Sequence, residues 1–202
     1  MTQPDLQGGG ESERGAGLNH RPEQPALEAC SRRLRTLDAQ ALEFAGLHGW
    51  RVERSPTAWV SYRPGVIQVA PDETLDADDT LLQIVLHEWC HYMVEGPGSE
   101  ALPDWGLDNA TDADEVHEHA ALRFQAWLTS QFGLRWVLMP TTDFRSWYDA
   151  LPDDPVSGDD ASVAMARVAI GRWQSWPLRA EIQTILSRAW NHSGLDECFT
   201  AG

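Results

Sequence analysis

Basic residues are scarce in this chain. Lysine and arginine together number 15 against 31 acids, a formal net charge of −16 over 202 residues. A phosphate backbone is bound by clustered cations, so this balance excludes a nucleic-acid partner. It permits a basic peptide or protein as substrate, and otherwise serves solubility. Cysteine is nearly missing: Cys30, Cys90 and Cys198 form an odd, sparse set. That excludes a disulfide framework and fits a reducing compartment. No apolar run approaches the roughly 20 residues of a membrane span. No basic region followed by an apolar stretch opens the chain, as a secretory signal would. The expectation is a cytoplasmic protein with no membrane partner.

What the chain does have is His-Glu-Trp-Cys-His, His87 to His91, inside the apolar run LLQIVLHEWCHYMV. Read as a helix, H-E-x-x-H puts two imidazoles on one face, one turn apart, where both reach one metal ion. Glu88 projects beside them, placed to take a proton from a metal-activated water. Leu81 to Val94 is apolar enough for a core helix, and such a helix seldom carries two His and a Glu unless they are paired or bind metal. The bland alternative is a pair of satisfied core histidines. Cys90 points about 100° away from His91 and reads as core filler.

Around this motif the pattern predicts an α+β fold. Residues 1–24, rich in Gly, Pro, Gln and Glu, read as a disordered tail, and 196–202 as a second. Between them, 25–195 form one domain of ordinary size. A helix is expected from about Ala26 to His48. Three strands follow, WRVER (50–54), AWVSY (58–62) and GVIQVA (65–70), forming a small antiparallel sheet punctuated by Ser55-Pro56 and Arg63-Pro64-Gly65. Asp76, Asp78 or Asp79 is expected to cap the motif helix, and Gly96-Pro97-Gly98 to end it. A second helix spans about Asp112 to Phe132, and further helices lie near 141–150, 160–175 and 178–191. The helix-plus-sheet part is 25–75, the metal-site helices 76–132 and the helical C-terminal part 133–195. The ten tryptophans are spread along the chain as packing anchors.

A catalytic zinc takes three protein ligands and one open position. The downstream helix carries Asp114, Glu115, His117, Glu118 and His119. Glu118 is the favoured third ligand, because Ala120 and Ala121 allow close helix approach. Glu115 is the alternative, or else an acid holding a ligand imidazole N–H. Tyr92, Tyr148, His117 and His119 are candidates for stabilising an oxyanion. A strand such as GVIQVA is a candidate for pairing with an extended peptide.

Helix, three strands, metal helix and ligand helix follow the order of a small zincin-type domain. With a Glu on the following helix, His87-Glu88-x-x-His91 resembles the glutamate-type zincins, which are zinc metallopeptidases. Over about residues 81–130, LHEWCHYMVEG, then LPDWGLDN, then the DEVHEH helix resemble elongation factor P hydroxylase. That likeness includes Asp104-Trp105-Gly106 and implies His87, His91 and Glu118 as ligands of a non-haem iron. Ligand types suit both metals. Three functions are therefore expected in order: a Zn²⁺ metallopeptidase-type hydrolase with Glu88 as general base, an Fe²⁺ protein hydroxylase, and a catalytically inactive zincin-like binding module.

Overall fold

A computed structural model describes residues 21–108, 112–140 and 144–194; most of the first expected tail and all of the second lie outside them. Among the described residues no helix is long and apolar enough to cross a membrane. The fold is α+β, with a small sheet on a largely helical body.

The chain opens with α1 (Gln24–Leu34) and α2 (Asp38–Leu47), separated by a 3-10 turn over Arg35–Leu37. One continuous helix was expected here. The backbone stays right-handed through Leu34, Arg35 and Asp38, so the expected helix tightens for one turn rather than breaking, and the Thr36 hydroxyl donates to the Arg33 carbonyl there at 2.6 Å. Arg35 then reaches away to the Asp79 carbonyl at 2.8 Å.

Three strands follow: β1 (Arg51–Arg54), β2 (Val60–Arg63) and β3 (Val66–Val69). Their order is β1-β3-β2, with β2 antiparallel to β3 and β1 parallel to it. The sheet is therefore mixed, not antiparallel. The Pro64-Gly65 turn, with Gly65 at φ +78°, makes the β2–β3 hairpin. β2 then serves as the crossover that brings β1 and β3 into the same direction. Burial decides the order: Ile67 and Val69 are fully buried, whereas RVER is mostly exposed and takes an edge. With a neighbour on each side, β3 has no edge left for an extended peptide, which corrects the expectation for GVIQVA.

The motif helix is α3 (Leu81–Glu95). Its cap is Thr80, not an aspartate. Thr80 has extended backbone, and its hydroxyl accepts the Gln83 N–H at 3.1 Å. The aspartates are engaged elsewhere: Asp78 pairs with Arg145, and Asp79 accepts the Asp76 N–H. Nearly every side of α3 is buried, so it takes the centre, against α2, α4 (Glu115–Ser130) and α6 (Ala161–Gln174). The short α5 (Arg145–Asp149) and α7 (Arg179–Ser193) complete the helical part, with α7 against α1. One buried apolar cluster runs from Leu27 to Ala189. Trp89 sits at its heart, edge-on to Phe44 and Trp173.

The chain has no lysine; all its side-chain cations are arginines apart from histidine. Several spend their forked donors on carbonyls that end an element. Arg172 of α6 donates to the Met93 and Val94 carbonyls, both at 2.6 Å, closing the end of α3. Gly96 follows at φ +89°, ψ −177°, and a Cβ there would stand 2.6 Å from the Arg172 guanidinium. Gly96→Ala is expected to destabilise the fold by about 2 kcal/mol or more, from backbone strain and loss of the Arg172 contact. Urea denaturation beside Arg172→Ala checks this, and an unchanged midpoint would refute it.

Candidate metal centre

α3 and α4 run antiparallel, because Glu95 at the end of one meets His117 at the start of the other, while His87 meets Gln125 two turns further in. Between these contacts three ligand-type side chains converge. His87 Nε2 lies 3.1 Å from Glu118 Oε1, and His91 Nε2 lies 3.1 Å from Glu118 Oε2. The two Nε2 atoms are 3.2 Å apart, with the rings at 81°. A tetrahedral zinc with bonds of about 2.0–2.1 Å sets its ligand atoms about 3.3 Å apart. A facial octahedral set with similar bonds gives about 3.0 Å. The two 3.1 Å contacts use different oxygens of Glu118; one ligand atom from each residue lies within 4.8 Å of the others, a triangle that one divalent ion can share. His87, His91 and Glu118 are the cluster of His, Cys, Asp and Glu able to hold an ion among the described residues.

Gln125 decides which nitrogen of His87 faces inward. Its side-chain NH2 donates to the Leu138 carbonyl, so its Oε1 must face His87. His87 Nδ1, 2.8 Å away, is then the donor, and in the neutral ring Nε2 keeps its lone pair for the centre. Gln125 is fully buried. It lies seven residues beyond Glu118, on the same face of α4; that spacing was the available signal for it. Among the described residues His91 Nδ1 is buried with no hydrogen-bond partner, and of the two rings it is His87 that has this outer support.

Burial alone would depress His87, but the charge and hydrogen bond of Glu118, then Glu88 and Gln125, raise its pKa to about 9. Burial pushes Glu118 up, yet His87 and His91 hold it well below the usual carboxylate range. Glu88 is raised by burial, with His91, His87 and Trp105 partly opposing.

Glu88 is buried, and its Oε2 accepts the Trp105 indole N–H at 2.9 Å. Trp105 belongs to the Asp104-Trp105-Gly106 turn, in which Asp104 (φ +45°) and Trp105 (φ +62°) are both left-handed. Such backbone costs roughly 1–2 kcal/mol per non-glycine residue. Asp104 does not touch the ligands; its Oδ1 accepts the Tyr62 N–H on the outer side of β2 at 2.8 Å.

The other expected site residues are placed elsewhere. Glu115, the alternative ligand, is half exposed and 3.6 Å from His119, so it neither joins the triangle nor holds a ligand imidazole. One turn nearer the helix start, it reaches solvent before it reaches α3. His117 pairs with Glu95 at 2.9 Å. His119 stacks on Trp147 at 3.8 Å with the planes 1° apart. Tyr92 packs among Trp50, Trp105 and Trp176. Tyr148 is fully buried and donates to the Arg135 carbonyl at 3.1 Å, so it offers no donor to an oxyanion. Cys90 is fully buried in the core.

Metal ligation requires a neutral ring. With His87 raised to about 9, an ion binding at neutral pH displaces a proton, so affinity is expected to rise about tenfold per pH unit and level off above about 9. Calorimetric titration in buffers of different ionisation heat counts that proton. Gln125→Leu is expected to weaken metal binding about 10–100-fold while the protein stays folded; unchanged affinity would remove its supporting role. Set against protein-family models, curated proteins and solved structures, the chain matches none of them.

Proposed function

We propose that this chain is a metal-dependent hydrolase of peptide-type bonds. The observation that carries the reading is the convergence of His87, His91 and Glu118 on one point with Glu88 buried beside them. A Zn²⁺ ion held by those three residues would acidify a water toward neutral pH and polarise a carbonyl oxygen. Glu88 is the base that takes the proton from the attacking water and returns it to the leaving amine. Gln125 keeps the His87 ring turned toward the ion. A structural metal site would need no Glu88, which disfavours a purely binding module. The net charge of −16 favours a basic peptide or protein as substrate.

A second reading is an Fe²⁺ protein hydroxylase using the same three ligands. It is supported by the turn Asp104-Trp105-Gly106, part of the resemblance to elongation factor P hydroxylase, contacting Glu88 directly.

Elemental analysis of protein purified anaerobically without added metal separates the two, with Glu118→Ala as the control that loses the ion. Stoichiometric zinc supports the hydrolase and stoichiometric iron the hydroxylase. In the zinc protein, Glu88→Gln is expected to retain metal and lose about 10²–10⁴-fold in peptide cleavage. Cleavage at the parent rate in that variant would end the hydrolase assignment.

A further inference from the structure

The turn over Asp104 and Trp105 places two successive non-glycine residues in left-handed backbone, next to the base of the proposed reaction. Strain of this kind persists only where the surroundings over-determine it. Here they do. The Asp104 carboxylate is tied to the Tyr62 N–H, and the Asp104 carbonyl accepts the Leu107 N–H at 2.9 Å. The Trp105 ring lies flat on Tyr62, with centroids 3.6 Å apart and planes at 13°. The Tyr62 hydroxyl donates to the Glu100 carbonyl at 2.9 Å, fixing the start of the same loop. Trp50 closes on the indole from another side at 5.2 Å.

All of this delivers one group, the Trp105 indole N–H, to Glu88 Oε2 in a site where both side chains are buried. It is the single hydrogen-bond partner of Glu88 among the described residues. An indole N–H only donates. Oε2 is therefore committed as an acceptor, and Oε1 is the oxygen left for proton traffic. An alanine at 105 would leave Glu88 buried beside the histidines with no hydrogen bond from the described residues to fix its rotamer.

We propose that Trp105 is a positioning residue for Glu88: the strained Asp104–Trp105 turn, braced on Tyr62 of β2, holds one carboxylate oxygen so that the other serves the reaction. This rests on the hydrolase reading. It gives the three-strand sheet a task in the site, since Tyr62 is the point where the sheet bears on the turn.

The test uses the full chain with its metal and three variants. Trp105→Phe keeps the stack on Tyr62 and loses the N–H. Asp104→Ala keeps the indole and releases the turn, which covers the case in which Trp105→Phe does not fold. Glu88→Gln is the reference. Ten tryptophans give ten indole N–H resonances. The one that vanishes in Trp105→Phe is expected to be protected from exchange and to move in Glu88→Gln. On a peptide that the parent cleaves, Trp105→Phe and Asp104→Ala are each expected to lower kcat about tenfold or more with KM unchanged. Trp105→Phe added to Glu88→Gln should cost nothing further, because the two act as one unit. A Trp105 resonance indifferent to Glu88→Gln, or parent-like kcat in both turn variants, overturns the proposal and leaves the hydrolase reading standing. A metal-loaded parent that cleaves no peptide removes the reading and the proposal together.

Discussion

Two imidazoles and a carboxylate sit in a helix that is otherwise the most apolar of the described helices. α3 is buried on nearly every side, so His87, Glu88 and His91 have little water to fall back on. Buried polar groups persist only when something meets them. Each is met by a group from outside α3. Glu118 meets both Nε2 atoms, Gln125 meets His87 Nδ1, and Trp105 meets Glu88. The first two come from α4 and the third from the loop after α3. That need fixes how α4 lies on α3 and where the loop must run. The same cluster that invites a metal is what dictates the packing of its neighbours.

The arginines supply a second layer of order. Without lysine, the chain relies on guanidinium forks that reach two carbonyls at once. Arg172 closes α3, and the buried Arg135 gathers the carbonyls of Leu151, Pro152 and Asp153. Arg123 joins α4 to the Pro155 carbonyl, Ser162 and Asp160 at the start of α6. These contacts close the end of α3 and tie the middle of α4 to the start of α6. They make the position of the triangle depend on α6 as well as on α3 and α4. The acid surplus remains largely on the outside, where it shapes encounter with a charged partner rather than the fold.

The pairing of His87 and His91 on one face of α3 was legible because it needs only the helical repeat. Residues 87 and 91 are one turn apart in any α-helix. The helix itself announced its span by its apolar run and its end by Gly96. The acid on the next helix was legible to within one turn, since Glu115 and Glu118 share a face. Ala120 and Ala121 favoured Glu118 of the two, and the structure places it, not the more exposed Glu115, beside the histidines. The strands were legible as segments, but their order was not. Turn residues identify neighbours in sequence, whereas the place of β1 beside β3 came from which strand could be buried on both edges.

What the sequence by itself determined is local: helical and strand periods, the two histidines on one helix face, the glycine stop and the charge. Those follow from covalent geometry and from residues a few positions apart. Only the tertiary structure decided that Gln125 orients His87 across 38 positions, and that Trp105 rather than Asp104 touches Glu88. Such pairings depend on which surfaces are buried together. A donor and an acceptor far apart in the chain carry no mark of each other until the core has brought them within 3 Å.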